Sequence, residues 1–283
     1  MKKLFTIVVL FNAAFCFSQE QLYDLYSNPV LEKKWKELPS NLKIVPNVLA
    51  SLTLPFKDDF SIDSVYPNPL KWKDKRVFIN RTFAIAPPTV GVATFDGLDM
   101  DGIPYDTSGT FNPSNSAYAD TLTSQPINLS ALTANDSVYF SFSYQAGGKG
   151  NPPEAGDSLW LEFSAPAQTW AKVWSKAGYT AALTDSNFKQ VMIYISNPAL
   201  LVDSFQFRFR NKATISGNRD HWNVDYVYLN QNRNILDTLK QDIAFVYNAQ
   251  SMLNEYMAMP WNQYQTTDMK STIKNYIRNN IIY

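Results

Sequence analysis

Between residues 137 and 230 the chain carries a series of strand-like stretches separated by turn residues, the clearest of them alternating apolar and polar positions with a period of two. In "FQFRFR", Phe205, Phe207 and Phe209 alternate with Gln206, Arg208 and Arg210, so a strand here buries one face and wets the other. Comparable stretches are "SVYFSFSYQAG" (137–147), "DSLWLEFSA" (157–165), "WAKVWSKAG" (170–178), "FKQVMIYIS" (188–196) and "HWNVDYVYLN" (221–230). Turn residues separate them, and no long helical pattern intervenes. That spacing predicts an all-β fold, a two-sheet antiparallel sandwich, and argues against a parallel α/β sheet. Residues 19–50 read differently. Leu31, Trp35 and Leu38 recur at helical spacing between Pro29 and Pro39, which predicts a short N-terminal helical appendage. Beyond the sandwich, "DIAFVYN" reads as one further strand, while Ile273, Ile277 and Ile281 suggest a weak helical stripe. An isolated stripe of that length is marginal in water, so residues after about 262 are expected to be loosely structured.

The first residues carry a separate message. "MKKLFTIVVLFNAAFCFSQE" has two lysines, an apolar run and small residues at Cys16 and Ser18, the layout of a secretory signal peptide cleaved after Ser18. The run is shorter than the roughly 20 residues a bilayer span needs, so no transmembrane segment is expected in the mature chain. The bulky Phe15 argues against lipidation of Cys16. With Cys16 removed the mature chain has no cysteine, which excludes disulfides, a thiol nucleophile and cysteine-ligated zinc. His221 is the one histidine; it cannot build a histidine-rich zinc site, and no G-x-S-x-G elbow accompanies it. Loss of Lys2 and Lys3 lowers the basic count from 25 to 23 against 25 acidic residues, a net charge near −2 that gives no sign of nucleic-acid binding.

Candidate chemistry concentrates in a few places. "TFDGLDMDGIPYD" (94–106) lies in a turn-rich stretch, 94–120, that reads as one long loop. Aligned on Gly102 as an EF-hand, it puts Gly97 at the first ligand position and Ser108 at the twelfth, so it is not one. Asp96, Asp99 and Asp101 could still contribute to an irregular calcium cage; the competing reading is a series of Asp-Gly turns. Glu154 and Glu162 are the candidates for a glycosidase pair, which needs carboxyls about 5 to 10 Å apart. Trp170 and Trp174 share a parity and are the candidates for a sugar-stacking face, with burial in the sandwich as the alternative. Trp160, inside the apolar triplet Leu159-Trp160-Leu161, is expected in the core.

The serial order of "FKDDFS", Trp72, "ADTLTSQPINLSAL", "VYFSFSYQAGG", "DSLWLEF", "KVWSKAG" and "FQFRFRNKATISGNRDHWNVDYVYL" resembles the MAM-type jelly rolls of extracellular proteins. The family's usual cysteines are absent, and the acidic loop 94–120 looks like an insertion. "YPNPLKWKDKRVFIN", "PPTVGVATFDGLDMDGIPY" and "EYMAMPWNQY" resemble N-terminal regions of large exported Bacteroidetes proteins associated with type IX secretion. These resemblances imply a jelly-roll topology and a structural calcium where the terminal strands meet, held by Asp58, Asp59 and Asp225. The alternative for these acids is ordinary strand-end hydrogen bonding. Asp-Ser or Asp-Thr followed by an aliphatic residue resembles the O-glycosylation motif of such proteins and would mark Ser64, Thr121, Ser137, Ser158 and Thr238; the same tripeptides are also a common way to begin a strand.

The expected organisation is a signal peptide (1–18), an N-terminal appendage (19–50), a MAM-like or concanavalin-like jelly-roll sandwich (51–232) and a tail (233–283) that begins a missing following domain. The expected function is an exported, non-catalytic binding or adhesion module at the cell surface or beyond it, glycan-binding and calcium-stabilised, with an extracellular glycan or a surface protein as partner. Two alternatives stand beside it: an accessory region of a secreted glycan-active hydrolase, and a structural component of the export or gliding apparatus.

Overall fold

Strand pairing nests outward from one central pair. The structure, a computed structural model, describes residues 26–43, 51–108, 112, 116–164, 169–179, 187–237 and 243–279. Strand β6 (Ser158–Ser164) pairs with β7 (Trp170–Ala177), and β5 (Tyr139–Ala146) with β8 (Lys189–Tyr194). Around these, β4 (Ser116–Thr123) pairs with β9 (Gln206–Thr214), and β3 (Val92–Phe95) with β10 (Trp222–Asn230). Rolling this nested hairpin over gives two antiparallel sheets. The first has the order β3-β10-β5-β8, extended by β2 (Phe78–Asn80) on β3 and by β1 (Phe56–Asp58) on β10. The second has the order β4-β9-β6-β7. This is the expected all-β, two-sheet antiparallel jelly-roll sandwich. Residues 94–95 and 116–120 of the stretch expected to be loop belong to β3 and β4.

Register explains the core. Leu122, Phe209, Leu161 and Trp174 stand opposite one another across the second sheet, and all four face the first. Phe140, Phe142 and Tyr144 of β5 meet them, with Phe140 4.5 Å from Phe207 and Phe142 4.8 Å from Phe209, ring centre to ring centre. Edge-to-face packing of this kind adds about 0.5–1.5 kcal/mol per pair to the area buried. Trp72 closes one end against Phe56 and Phe207 and donates from Nε1 to Asp58 Oδ2 at 2.6 Å.

Helix α1 (Pro29–Glu37) forms where the proline bracket predicts it. Asn28 caps it by accepting from the amides of Val30 and Leu31, and Leu31 is buried with Trp35 and Leu38 against Tyr66 and Phe78. The Asp-Gly loop is the other half of that dock. Asn28 N–H donates to Gly102 O at 2.8 Å, and the positive φ of Gly102 (79°) brings its backbone so near that a Cβ would lie 2.5 Å from Asn28 O.

After β10 the chain becomes sparse. β11 (Ile243–Phe245) pairs with β12 (Ile277–Asn279), as "DIAFVYN" predicts for the first of them. Ile277 therefore sits in a strand and not on a helical stripe; Ile281 lies outside the described residues, as do residues 1–18 with Cys16. Most of 246–279 is exposed, Met257 and Trp261 above all, and Tyr247 and Asn248 hold it to the Ala86 amide and Arg81. No helix among the described residues is long and apolar enough to cross a membrane.

Candidate functional site

The outer face of the first sheet is covered at one end and open at the other. Over the start of β10, residues 83–91 lie across the sheet. Gln145 exchanges two hydrogen bonds with the Ile85 backbone, and buried Asp225 accepts from the Thr89 amide at 2.9 Å and hydroxyl at 3.0 Å. Toward the end of β10 that cover stops, and a groove of about 930 Å³ opens. Its floor is a cross-strand row, Lys57 on β1, Tyr228 on β10 and Ser141 on β5, in direct register.

A β-bulge shapes the groove. Two residues of β10, Tyr226 and Val227, oppose Phe142 alone, so the register shifts between Asp225 and Tyr228. Val227 keeps its place in the core while Tyr226 lines the groove, at a φ of 52° that costs a bulky residue about 1–3 kcal/mol. Lys57 Nζ lies 4.7 Å from the Tyr226 ring centre, and the Arg233 guanidinium 4.4 Å from that of Tyr228. Arg233 is buried and also pairs with Asp237 at 2.6 Å while donating to the carbonyls of Tyr139 and Tyr228. Gln190 completes the lining with an amide. The result is a concave surface of tyrosyl, amide and hydroxyl groups, whose carboxylate, Asp237, is neutralised by Arg233.

The second sheet's outer face is organised differently. Its rows are Thr121–Arg210–Trp160–Ser175 and Thr123–Arg208–Glu162–Lys172. Arg208 reaches Glu162 at 2.5 Å and lies 4.2 Å above the Trp170 ring; Arg210 lies 4.3 Å above Tyr118, and Lys172 4.6 Å above Trp160. Each cation and ring is thus used by a neighbour.

Trp170 and Trp174 do not share a face. Sequence parity placed them together, but the bulge between Leu161 and Glu162 inserts a residue opposite, so Trp170 faces outward with Ser164 and Trp174 inward with Leu161. Trp174 packs 5.1 Å from Phe142. Trp160, expected in the core, is half-buried on the outer face 5.3 Å from Tyr118.

The acids chosen from sequence are held by protein donors. Asp58 accepts from Trp72, Lys71 and the Phe60 amide, and Asp59 from Ser61 N–H at 3.2 Å and its hydroxyl at 2.7 Å. Asp225 belongs to the Thr89 contact. Asp99 accepts from the Met100 amide and faces Arg76, while Asp101 accepts from the Ile103 amide as a turn acid does. Asp96 lies buried beside Asp120, whose Oδ2 accepts from the Asp96 amide and whose Oδ1 accepts from Tyr105. Burial pushes the Asp96 carboxyl up to about 7, and burial together with Asp96 raises Asp120 well above the carboxylate range. Neither trio gathers three carboxylates at ligand distance; among the described residues the group that does is Glu154, Asp157 and Asp220. Glu154 therefore has its partners in that group, and Glu162 in Arg208 and Arg210. His221 is buried, packed at a tilt against Phe83 at 4.8 Å, ring centre to ring centre, with Nε2 2.8 Å from Asn218 Oδ1.

No family model matches this chain, and no curated protein matches it in sequence. Solved structures with similar coordinates include the K1 cleaved adhesin domain of Lys-gingipain from Porphyromonas gingivalis W83, at 12% identity and a TM-score of 0.38, covering 63% of this chain and 99% of that one. The CBM22-1 xylan-binding domain of Paenibacillus barcinonensis Xyn10C matches at 9% identity and 0.35, covering 65% of this chain and 99% of that one. Caldicellulosiruptor saccharolyticus CBM27-1, solved with mannohexaose, matches at 13% and 0.33, covering 62% and 95%.

Of the hydroxyls in the glycosylation-like motifs, Ser64 is exposed, and Thr121, Ser137 and Ser158 are half-buried; Thr238 lies outside the described residues. Asp120 and Asp157, which begin two of these motifs, are buried acceptors of structural hydrogen bonds. The groove residues went unchosen from sequence. "DYVYLN" did carry a signal, two tyrosines and an asparagine at alternating positions of a last strand, but the bulge that turns Tyr226 into the groove leaves no mark in the residue pattern.

Proposed function

We propose that this chain is an exported, non-catalytic binding module that takes a glycan in the groove beside β10, at the cell surface or outside the cell. The observation that carries this reading is the row Lys57, Tyr228 and Ser141 at the floor of the groove, flanked by Tyr226 and Gln190. A sugar offers C–H faces to aromatic rings and hydroxyls to amide, hydroxyl and ammonium groups, and this lining supplies each. The strain stored at Tyr226 belongs with a surface whose shape matters more than its stability.

The test is a glycan array with the mature chain, followed by titration of the best hit against Tyr228→Ala and Gln190→Ala. Saturable binding weakened by both variants is expected. Binding that both variants leave intact moves the site away from the groove, and the absence of binding to any glycan favours a surface protein as the partner. Export is tested separately by mass spectrometry of the native product, which should begin at Gln19.

A further inference from the structure

Asp220 carries a buried carboxylate oxygen, Oδ1, with no hydrogen-bond partner. Its other oxygen accepts from the Thr214 amide at 2.6 Å, its own amide donates to Asn151 Oδ1, and its backbone is held at a φ of 59°. The side chain is 0% exposed. A carboxylate oxygen so placed costs the fold its full desolvation unless something binds it.

What lies near it is more negative charge. Asp220 comes from the β9–β10 connection, while Glu154 and Asp157 come from the β5–β6 connection, and one oxygen from each of the three lies within 4.8 Å of the others. The connection is rigid on its own account. Glu154 N–H donates to Asp157 Oδ2 at 2.9 Å and Asp157 N–H to Glu154 O at 3.0 Å, closing a tight turn. Gly178 donates to Asp157 O and Tyr179 to Pro153 O, which fastens the turn to the end of β7. Gly178 passes so close that a Cβ would sit 1.8 Å from Glu154 O. The Ser116 hydroxyl, at the start of β4, lies 2.5 Å from Asp157 Oδ1. Asp157 and Asp220 are buried and Glu154 is exposed, so the group has two fixed inner oxygens and one outer gate.

We infer that Glu154, Asp157 and Asp220 form a calcium site that ties the β5–β6 connection to the β9–β10 connection. The donors are all oxygen, which suits a hard cation and disfavours zinc or copper. Two ligands come from one tight turn and the third from a separate loop, an irregular set that calcium accepts more readily than magnesium with its strict octahedron. The site differs from both acid groups picked out in the sequence, Asp58, Asp59 and Asp225 at the junction of β1 and β10, and Asp96, Asp99 and Asp101 in the α1 dock. It does not depend on the glycan reading, because none of its three residues lines the groove.

The experiment uses the mature chain, stripped with chelator and titrated with calcium chloride by calorimetry, with melting measured in chelator and in excess calcium. One calcium per chain is expected, with a melting temperature raised by roughly 5 °C or more at a hundredfold excess over Kd. Glu154→Gln, at an exposed position, should melt like the parent in chelator and bind calcium at least tenfold more weakly. Asp220→Asn should lose binding; if it does not fold, Glu154→Gln decides alone. Asp101→Asn should bind like the parent. A parent chain with no binding heat and the same melting temperature in chelator and calcium overturns the proposal, leaving a proton shared within the group. Binding that survives in Glu154→Gln but fails in Asp101→Asn overturns it too, by moving the cation to the other acids.

Discussion

β9 and β10 are both nine-residue strands in the interior of their sheets, and their outward residues meet opposite fates. On β9, Arg208 and Arg210 stand half-exposed in regular register and are saturated sideways by Glu162, Trp170 and Tyr118. On β10, Asn223 and Asp225 are buried beneath residues 83–91, and beyond the bulge Tyr226 and Tyr228 border a groove. A regular strand gives a flat face on which neighbouring side chains satisfy one another. A bulge and a partial cover break that regularity, and the step between covered and uncovered sheet becomes a concavity, although its two tyrosine rings also carry a cation each, Lys57 on Tyr226 and Arg233 on Tyr228.

The strongest way to break this contrast is to remove what holds the cover. Asp225→Ala leaves the buried Thr89 amide unpaired and should cost about 2–3 kcal/mol of stability. Chemical denaturation checks the loss, and Asp225→Asn, which keeps an acceptor, should recover part of it. A change near zero would mean that the cover does not rest on this carboxylate.

A smaller effect belongs to the edge where the chain crosses from β3 to β4. Asp96 and Asp120 are buried together there, and the folded pKa of Asp96, about 7, stands above the unfolded value. Its stabilising contribution is therefore complete below the unfolded pKa and is lost as pH rises toward and through 7. Melting should be roughly 5 °C higher at pH 5.5 than at pH 8 from this pair. Asp120→Asn should narrow that gap, because it removes one of the two buried charges. Burial raises the Asp220 carboxyl into the same window, so the narrowing that Asp120→Asn produces, and not the whole gap, is what reports this pair.

Next in size is the groove itself. Tyr228→Ala should weaken the best array ligand about tenfold, or 1.4 kcal/mol, while Trp170→Ala on the flat face leaves it unchanged. Equal losses from both variants would erase the distinction between the faces.

The smallest expected effect is on the flat face. Glu162→Gln keeps an acceptor for Arg208 and Arg210 but removes the charge of a buried carboxylate, and should cost about 1 kcal/mol of stability, little changed by salt. A larger loss would show that this face is a cooperative network and not a set of local pairs.

Periodicity alone was enough for strands and sandwich, because alternation along β5, β6 and β9 records which side of each strand meets the core and needs no knowledge of the partner strand. The helix was legible for the same local reason, from the Pro29 and Pro39 bracket and the apolar spacing of Leu31, Trp35 and Leu38. Parity failed where a bulge intervened, so Trp174 went inward while Trp170 stayed out; Trp160 faces away from its two core leucines as strict alternation requires, and only its apolar character suggested burial. Acidic residues were also poorly legible. Asp225 makes the backbone hydrogen bond that its alternative reading gives it, but Asp58 and Asp96 look in sequence like ligands, a strand end or a turn, and in the fold an indole, a lysine and buried amides claim them. Glu154, Asp157 and Asp220 come from connections about sixty residues apart, and only the pairing of β5 with β10 and of β6 with β9 brings them together. What the sequence determined by itself was therefore whatever depends on one strand or one helix turn: element type, the buried face, the proline-bracketed helix. The groove, the carboxylate group and the separate faces of the two tryptophans depended on register between strands, and register is set by the packing of the whole sandwich.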